Sequence, residues 1–250
     1  MTPSLARPRL APARRRSRER ALALGGTAAV AAAAFGAVAV ATARRDTAHA
    51  DRRLRDRLTA ARGHPARRVA HVVAAPGKWW AYLPAAVGVA AYVLRAERRS
   101  ARGLAGGARA LARRLTGAAR RDERSRRAGA GAVVLASALA ATLGPIFDRT
   151  LPQPPAPPGH PSRRDPVFPS GHAFGPTAMA LTSAYVLARE SLGRPGAAFP
   201  VALAYPLLSG GGKLVEDRHW SSDVLGGWLA GVALSAACLA AYERYGRGAG

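Results

Sequence analysis

Apolar residues in this chain run unbroken for whole stretches and then give way to arginine. Residues 21–43 are almost entirely Ala, Val and Gly without a charge. At about 1.5 Å per residue such a helix crosses the roughly 30 Å of a bilayer's hydrocarbon. Further apolar runs fall at about 79–94, 128–147, 173–188, 197–210 and 223–242. Several are short and Ala-rich, so a soluble helical core competes with membrane insertion. Trp79 and Trp80 before the second run, Trp220 before the sixth, and Tyr242 and Tyr245 after it suit interfacial aromatic belts and favour the membrane. The pattern predicts an all-α, integral membrane six-helix bundle over residues 21–245. The first run also fits a signal peptide, with Ala-x-Ala near its end, but exceeds a typical h-region and is retained as a span.

The 250 residues carry a net charge of +24 with 49% hydrophobic content, and the charge sits between the apolar runs. Because the arginines flank those runs and form no nucleic-acid-binding module, they read as topology signals, and no nucleic-acid partner is expected. Residues 1–20 hold seven arginines and predict a disordered cytoplasmic tail; the connection 95–127 holds twelve. That connection reads as helical Arg/Ala segments broken by Gly103, Gly106, Gly107 and Gly117, tethered to anionic lipid. With the N-terminus inside, the sparsely basic connections 148–172 and 211–222 lie outside. The connection 44–78 opposes this assignment, since it holds ten basic residues and must also face outward. Its arginines alternate with Asp46, Asp51, Asp56, Leu54 and Leu58, which predicts an amphipathic helix lying on the headgroups; otherwise the first run is cleaved or does not span.

Two stretches carry chemistry. In Pro169-Ser170-Gly171-His172, Pro169 forbids helix before it, Ser170 is a good N-cap and an apolar run follows, so His172 enters the first turn of a helix. Free N–H groups and the positive dipole end make that terminus an anion site. In Arg218-His219-Trp220-Ser221-Ser222-Asp223, helical geometry lays the Asp223 carboxylate beside the His219 ring, fixing its tautomer and raising its basicity. Two such histidines suit phosphoryl transfer through a phosphohistidine. The Pro-rich segment 148–168 predicts an extended arch over the site. Gly210-Gly211-Gly212 either lets backbone approach a phosphate or breaks the fifth helix. His49, His64, His71 and His160 lack metal-ligand spacing, and neither a catalytic metal nor another cofactor is expected. Cys238 is the lone cysteine and reads as a packing residue; Lys78 reads as a snorkelling lysine, or as a cation for the site.

These two stretches, within roughly residues 144–230, resemble the second and third signature motifs of the type 2 phosphatidic acid phosphatase superfamily. The resemblance implies His219 as nucleophile, Asp223 as its orienting partner and His172 as the acid for the leaving oxygen, with Ser170 and Gly171 on the phosphate. The third motif's usual Ser-Arg pair is Gly212-Lys213 here, so Lys213 keeps a cation without the bidentate fork. The first motif's Lys and Arg positions hold Gly144 and Leu151, before Pro152, leaving Arg149, Arg163 and Arg164 to assist. The implied protein is a multi-pass phosphatase of a bacterial-type plasma (inner) membrane, its site on the outer face. Its substrate would be a lipid phosphate monoester or a pyrophosphate such as a polyprenyl pyrophosphate, among membrane lipids. A soluble, vanadate-binding haloperoxidase-like enzyme of the same superfamily fits the apolar runs less well. The missing first-motif cations motivate an alternative, a catalytically weak lipid-phosphate binder or transporter.

Overall fold

The structure, a computed structural model, describes residues 10–100, 118–162, 164–192 and 195–247. It comprises α1 (Leu10–Ala43), α2 (Ala48–Leu58), α3 (Pro65–Ala74), α4 (Trp79–Ser100), α5 (Ala118–Thr150), α6 (Gly171–Arg189), α7 (Pro195–Val215) and α8 (Ser221–Ala241). A 3₁₀ turn (Ala75–Gly77) joins α3 to α4, and a π turn (Tyr242–Arg247) follows α8. Each of the six apolar runs falls on one helix, and α2 and α3 occupy the basic connection between the first two. Segments Arg14–Ala43, Asp122–Thr150 and Ser221–Gly246 are long and apolar enough to cross a membrane.

The hub is α6, which packs against α8, α7, α5 and α4, while α1 lies along α8 and α4 along α5. Small side chains let these helices close. A Cβ on Gly227 would come within 2.5 Å of the Ser170 carbonyl, and one on Gly231 within 2.5 Å of Thr177, so the glycine pair lets α8 sit directly on α6. At the end where the two histidine stretches meet, Phe35, Phe147, Phe168 and Phe174 form a chain of rings 5.5 to 5.9 Å apart, flooring the turn that leads into Ser170. The outer surface is apolar in turn: Val30 and Val40 on α1, Val87 on α4 and Val201, Leu203 and Leu208 on α7 all stand exposed, as lipid-facing positions do.

Four sequence expectations change. The basic tail is helical from Leu10, because Arg, Ala, Leu and Glu are strong helix formers and Arg15 pairs with Glu19 one turn on. Trp79, Trp80 and Tyr245 are exposed as belt residues would be, but Tyr242 is buried and the Trp220 indole donates to the Pro155 carbonyl at 2.8 Å, closing over the Pro-rich segment. Gly210–Gly212 do not break α7, which runs on to Val215. A Cβ on Gly212 would instead meet the Ala70 carbonyl at 2.8 Å, so that glycine seats α3. The connection 95–127 is helical at both ends, in α4 and α5, while the glycines 103, 106, 107 and 117 lie outside the described residues. Finally, α2 and α3 do not lie free as a surface helix: α3 packs on α7, and α2 on the start of α8.

Candidate functional site

Pro169 does stop helix ahead of the first motif, and α6 begins at Gly171 with Ser170 in extended conformation at the cap position. The Ser170 hydroxyl, however, caps nothing and is buried without a partner. Its backbone N–H instead donates to the Asp223 carbonyl at 2.9 Å, which ties the first motif directly to the second. His172 follows in the opening turn, its carbonyl accepting from the Ser209 hydroxyl at 2.7 Å and its ring Nε2 buried without a partner.

The second motif is bent rather than helical at His219, since α8 starts only at Ser221. Asp223, in the third position of α8, folds back to accept the Trp220 N–H on Oδ2 at 2.8 Å. That places the carboxylate 3.6 Å from His219 Nδ1, in ion-pair range but beyond a hydrogen bond. Asp223 is fully buried, and both its Oδ1 and His219 Nδ1 lack hydrogen-bond partners. The His172 and His219 rings face each other with centroids 6.4 Å apart and planes at 56°. At that separation one bound oxyanion can contact both rings.

Burial pushes the His172 ring well below the usual imidazole range, and the charges of Lys213, His219 and Lys78 add to this, leaving its pKa at about 3. Lys213 is buried in the last turn of α7 and donates to Glu216 Oε2 at 2.5 Å. Glu216 also takes the His71 ring at 2.7 Å and, on its carbonyl, the Arg67 guanidinium. Burial raises the Glu216 carboxyl, but its bonds to Lys213 and His71 outweigh this and hold it below its ordinary value. Next along, Asp217 stands in the left-handed region (φ 58°) and takes a bidentate pair from Arg55 of α2 at 2.7 and 2.8 Å. Asp51, also from α2, accepts the Ser222 N–H at 2.9 Å and both the Ser221 and Ser222 hydroxyls.

Thus Ser170, Gly171, His172, Lys213, His219 and Asp223 gather at one end of the bundle, whereas the assisting arginines do not join them. Arg149 is exposed and donates back to the Pro145 carbonyl of its own helix at 2.7 Å. The exposed Arg164 donates its backbone N–H to the Ser162 hydroxyl, and Arg163 lies outside the described residues. Lys78, read as snorkelling, is exposed yet close enough for its charge to bear on His172. Asp51, Arg55, His71, Glu216 and Asp217 were not foreseen; the alternation of Arg and Asp along α2 was their one visible signal.

The family model of the PAP2 superfamily matches residues 128–247. No curated protein sequence matches the chain. Among solved structures, the crystal structure of the first transmembrane PAP2 type phosphatidylglycerolphosphate phosphatase from Bacillus subtilis has the same fold, with a TM-score of 0.61 at 19% identity, covering 84% of this chain and 92% of its own. Residues 128–247, which hold both histidine motifs, thus match the PAP2 superfamily, and the helical fold shared with the Bacillus phosphatase extends beyond them.

Proposed function

We propose that the protein is a membrane phosphatase that hydrolyses a lipid phosphate monoester or a lipid pyrophosphate, with its site on the outer face of a bacterial-type inner membrane. One observation carries the reading: two imidazoles stand with their ring centroids 6.4 Å apart, and the buried Ser170 Oγ, His172 Nε2, His219 Nδ1 and Asp223 Oδ1 there have no partner. Orphaned buried polar atoms are costly, and four in one place fit a site completed by a polar ligand. The family match over residues 128–247 and the fold of the Bacillus phosphatase agree with this choice.

In the proposed reaction His219, its Nδ1 side turned to Asp223, attacks phosphorus through Nε2. The N–P bond forms as the bond from phosphorus to the lipid oxygen breaks, and His172 gives its proton to that oxygen. Neutral His172 then takes a proton from water, whose oxygen attacks phosphorus and expels His219. A pKa near 3 leaves His172 uncharged by itself. A phosphate dianion beside it opposes the positive charges that depress it, so substrate entry is what arms the acid. Ser170, Gly171 at the α6 terminus and Lys213 would hold the equatorial oxygens.

Purified protein should release phosphate from at least one of phosphatidic acid, phosphatidylglycerol phosphate and a polyprenyl pyrophosphate, and His219→Ala should lower that rate by roughly 10³-fold or more. Wild-type turnover in His219→Ala would remove the nucleophile assignment. A second reading, a lipid-phosphate binder or transporter, is favoured by the outward turn of Arg149 and the pairing of Lys213 with Glu216, which leave few cations free for a transition state. It predicts lipid binding without phosphate release, unaltered in His219→Ala.

A further inference from the structure

A cavity also borders Trp220, the residue after His219. It has a volume of about 110 Å³ and is lined among others by Thr42, Arg45, Thr47, Arg52, Pro155 and Trp220. Thr42 is 2% exposed, and its hydroxyl has no partner. In a helix a threonine hydroxyl ordinarily bonds back to the preceding turn, so this one is left unsatisfied behind the cavity wall. Neither Arg45 nor Arg52 has an ion-pair or hydrogen-bond partner for its guanidinium among the described residues. Arg45 occupies the reversal from α1 to α2 in the left-handed region (φ 68°), and α2 then starts without a side-chain cap at Thr47. Asp51 also borders the cavity, but its two oxygens are committed to Ser221 and Ser222. Two guanidiniums, an orphaned hydroxyl and an uncapped helix start are the donors a phosphate takes.

We infer that this cavity binds the phosphate-bearing headgroup of an anionic lipid, one residue removed from His219. The position selects a membrane-anchored phosphate over a soluble one. Thr42 closes the apolar run of α1, so the cavity sits at headgroup depth, and Val30 and Val40 on the exposed side of α1 give acyl chains a surface. The walls of Trp220 and Pro155 are locked together by the indole bond to the Pro155 carbonyl, so the pocket is preformed.

Native mass spectrometry of the full chain in detergent, titrated with phosphatidylglycerol and with phosphatidylcholine, tests this. Wild type should retain phosphatidylglycerol in preference, and the double variant R45Q/R52Q should lose that preference by about tenfold. Thr42→Val, which keeps every charge, should weaken it several-fold. The double variant R53Q/R57Q removes the same charge from exposed positions of α2 that do not border the cavity, and should leave retention unchanged. Inorganic phosphate is the second probe: displacement at millimolar concentration shows that the cavity reads the phosphate alone, and failure to displace shows that it needs the anchored lipid. If R53Q/R57Q costs as much as R45Q/R52Q, or if neither costs anything, the inference is overturned, since retention then reflects diffuse charge. His219→Ala should retain the lipid like wild type, so loss of turnover and loss of binding remain separable.

Discussion

Asp223 shows how one carboxylate serves two neighbours: Oδ2 accepts the Trp220 N–H and lies 3.6 Å from His219 Nδ1, while Oδ1 has no partner. Asparagine can keep the first contact through its carbonyl oxygen but carries no charge to stabilise a cationic ring. Asp223→Asn should therefore fold with a thermal midpoint close to wild type while kcat falls by roughly 10²- to 10⁴-fold. A variant within threefold of wild-type kcat would remove the electrostatic role. His172 makes a complementary prediction about stability. Its folded pKa of about 3 lies below the unfolded value, so as pH falls from about 6.5 toward 3 the unfolded chain takes up a proton that the folded one refuses. The native state loses stability through that window. Replacing the ring with neutral glutamine should flatten the pH dependence there by up to about 1.4 kcal/mol per pH unit. Thermal unfolding of His172→Gln and wild type in parallel from pH 7 to pH 4 checks the sign: the gap between them must move in favour of the variant as pH falls.

At the scale of helices, three consecutive glycines in α7 have different environments. Gly212 is packed against the Ala70 carbonyl and the Ala74 methyl, whereas a Cβ on Gly211 meets nothing within 4 Å. Alanine at 211 should raise stability by up to about 1 kcal/mol through helix propensity, and alanine at 212 should lower it by forcing α3 away. Comparison of thermal midpoints in one detergent decides this, and equal effects at the two positions would contradict the packing. The same contrast explains what could be read in advance. Apolar runs are local, so the helices were legible; so were Ser170-Gly171-His172 and His219 with Asp223, whose residue types and spacing announce anion chemistry. The clasp of α2 and α3 was not, because Arg55 meets Asp217 across 162 residues of chain and Asp51 meets Ser222 across 171. Nothing in periodicity reports a contact at that separation. Arg149 misled for a similar reason: sequence proximity to the site said nothing about a guanidinium that folds back on its own helix.

For the whole molecule the open question is which way up it sits. The ten basic residues of the 44–78 connection argue for that connection being inside, while the arginine-rich N-terminus and the 95–127 connection argue the reverse. The clasp resolves part of the conflict. Arg55 is paired with Asp217, Arg67 is bound to the carbonyls of Ala60 and Glu216, and α2 and α3 are docked on the same end as His219. Charge that is neutralised and folded onto the protein constrains orientation less than the seven arginines of residues 1–20 and the twelve of residues 95–127. The site end should therefore be external. The lone native cysteine, Cys238, is buried and silent to a bulky reagent, which leaves a clean background. In intact cells a membrane-impermeant maleimide should label Arg53→Cys on exposed α2, and should label Arg127→Cys, near the start of α5, only after permeabilisation. The opposite pattern would place both histidines in the cytoplasm, where their substrate would have to be a lipid phosphate of the inner leaflet.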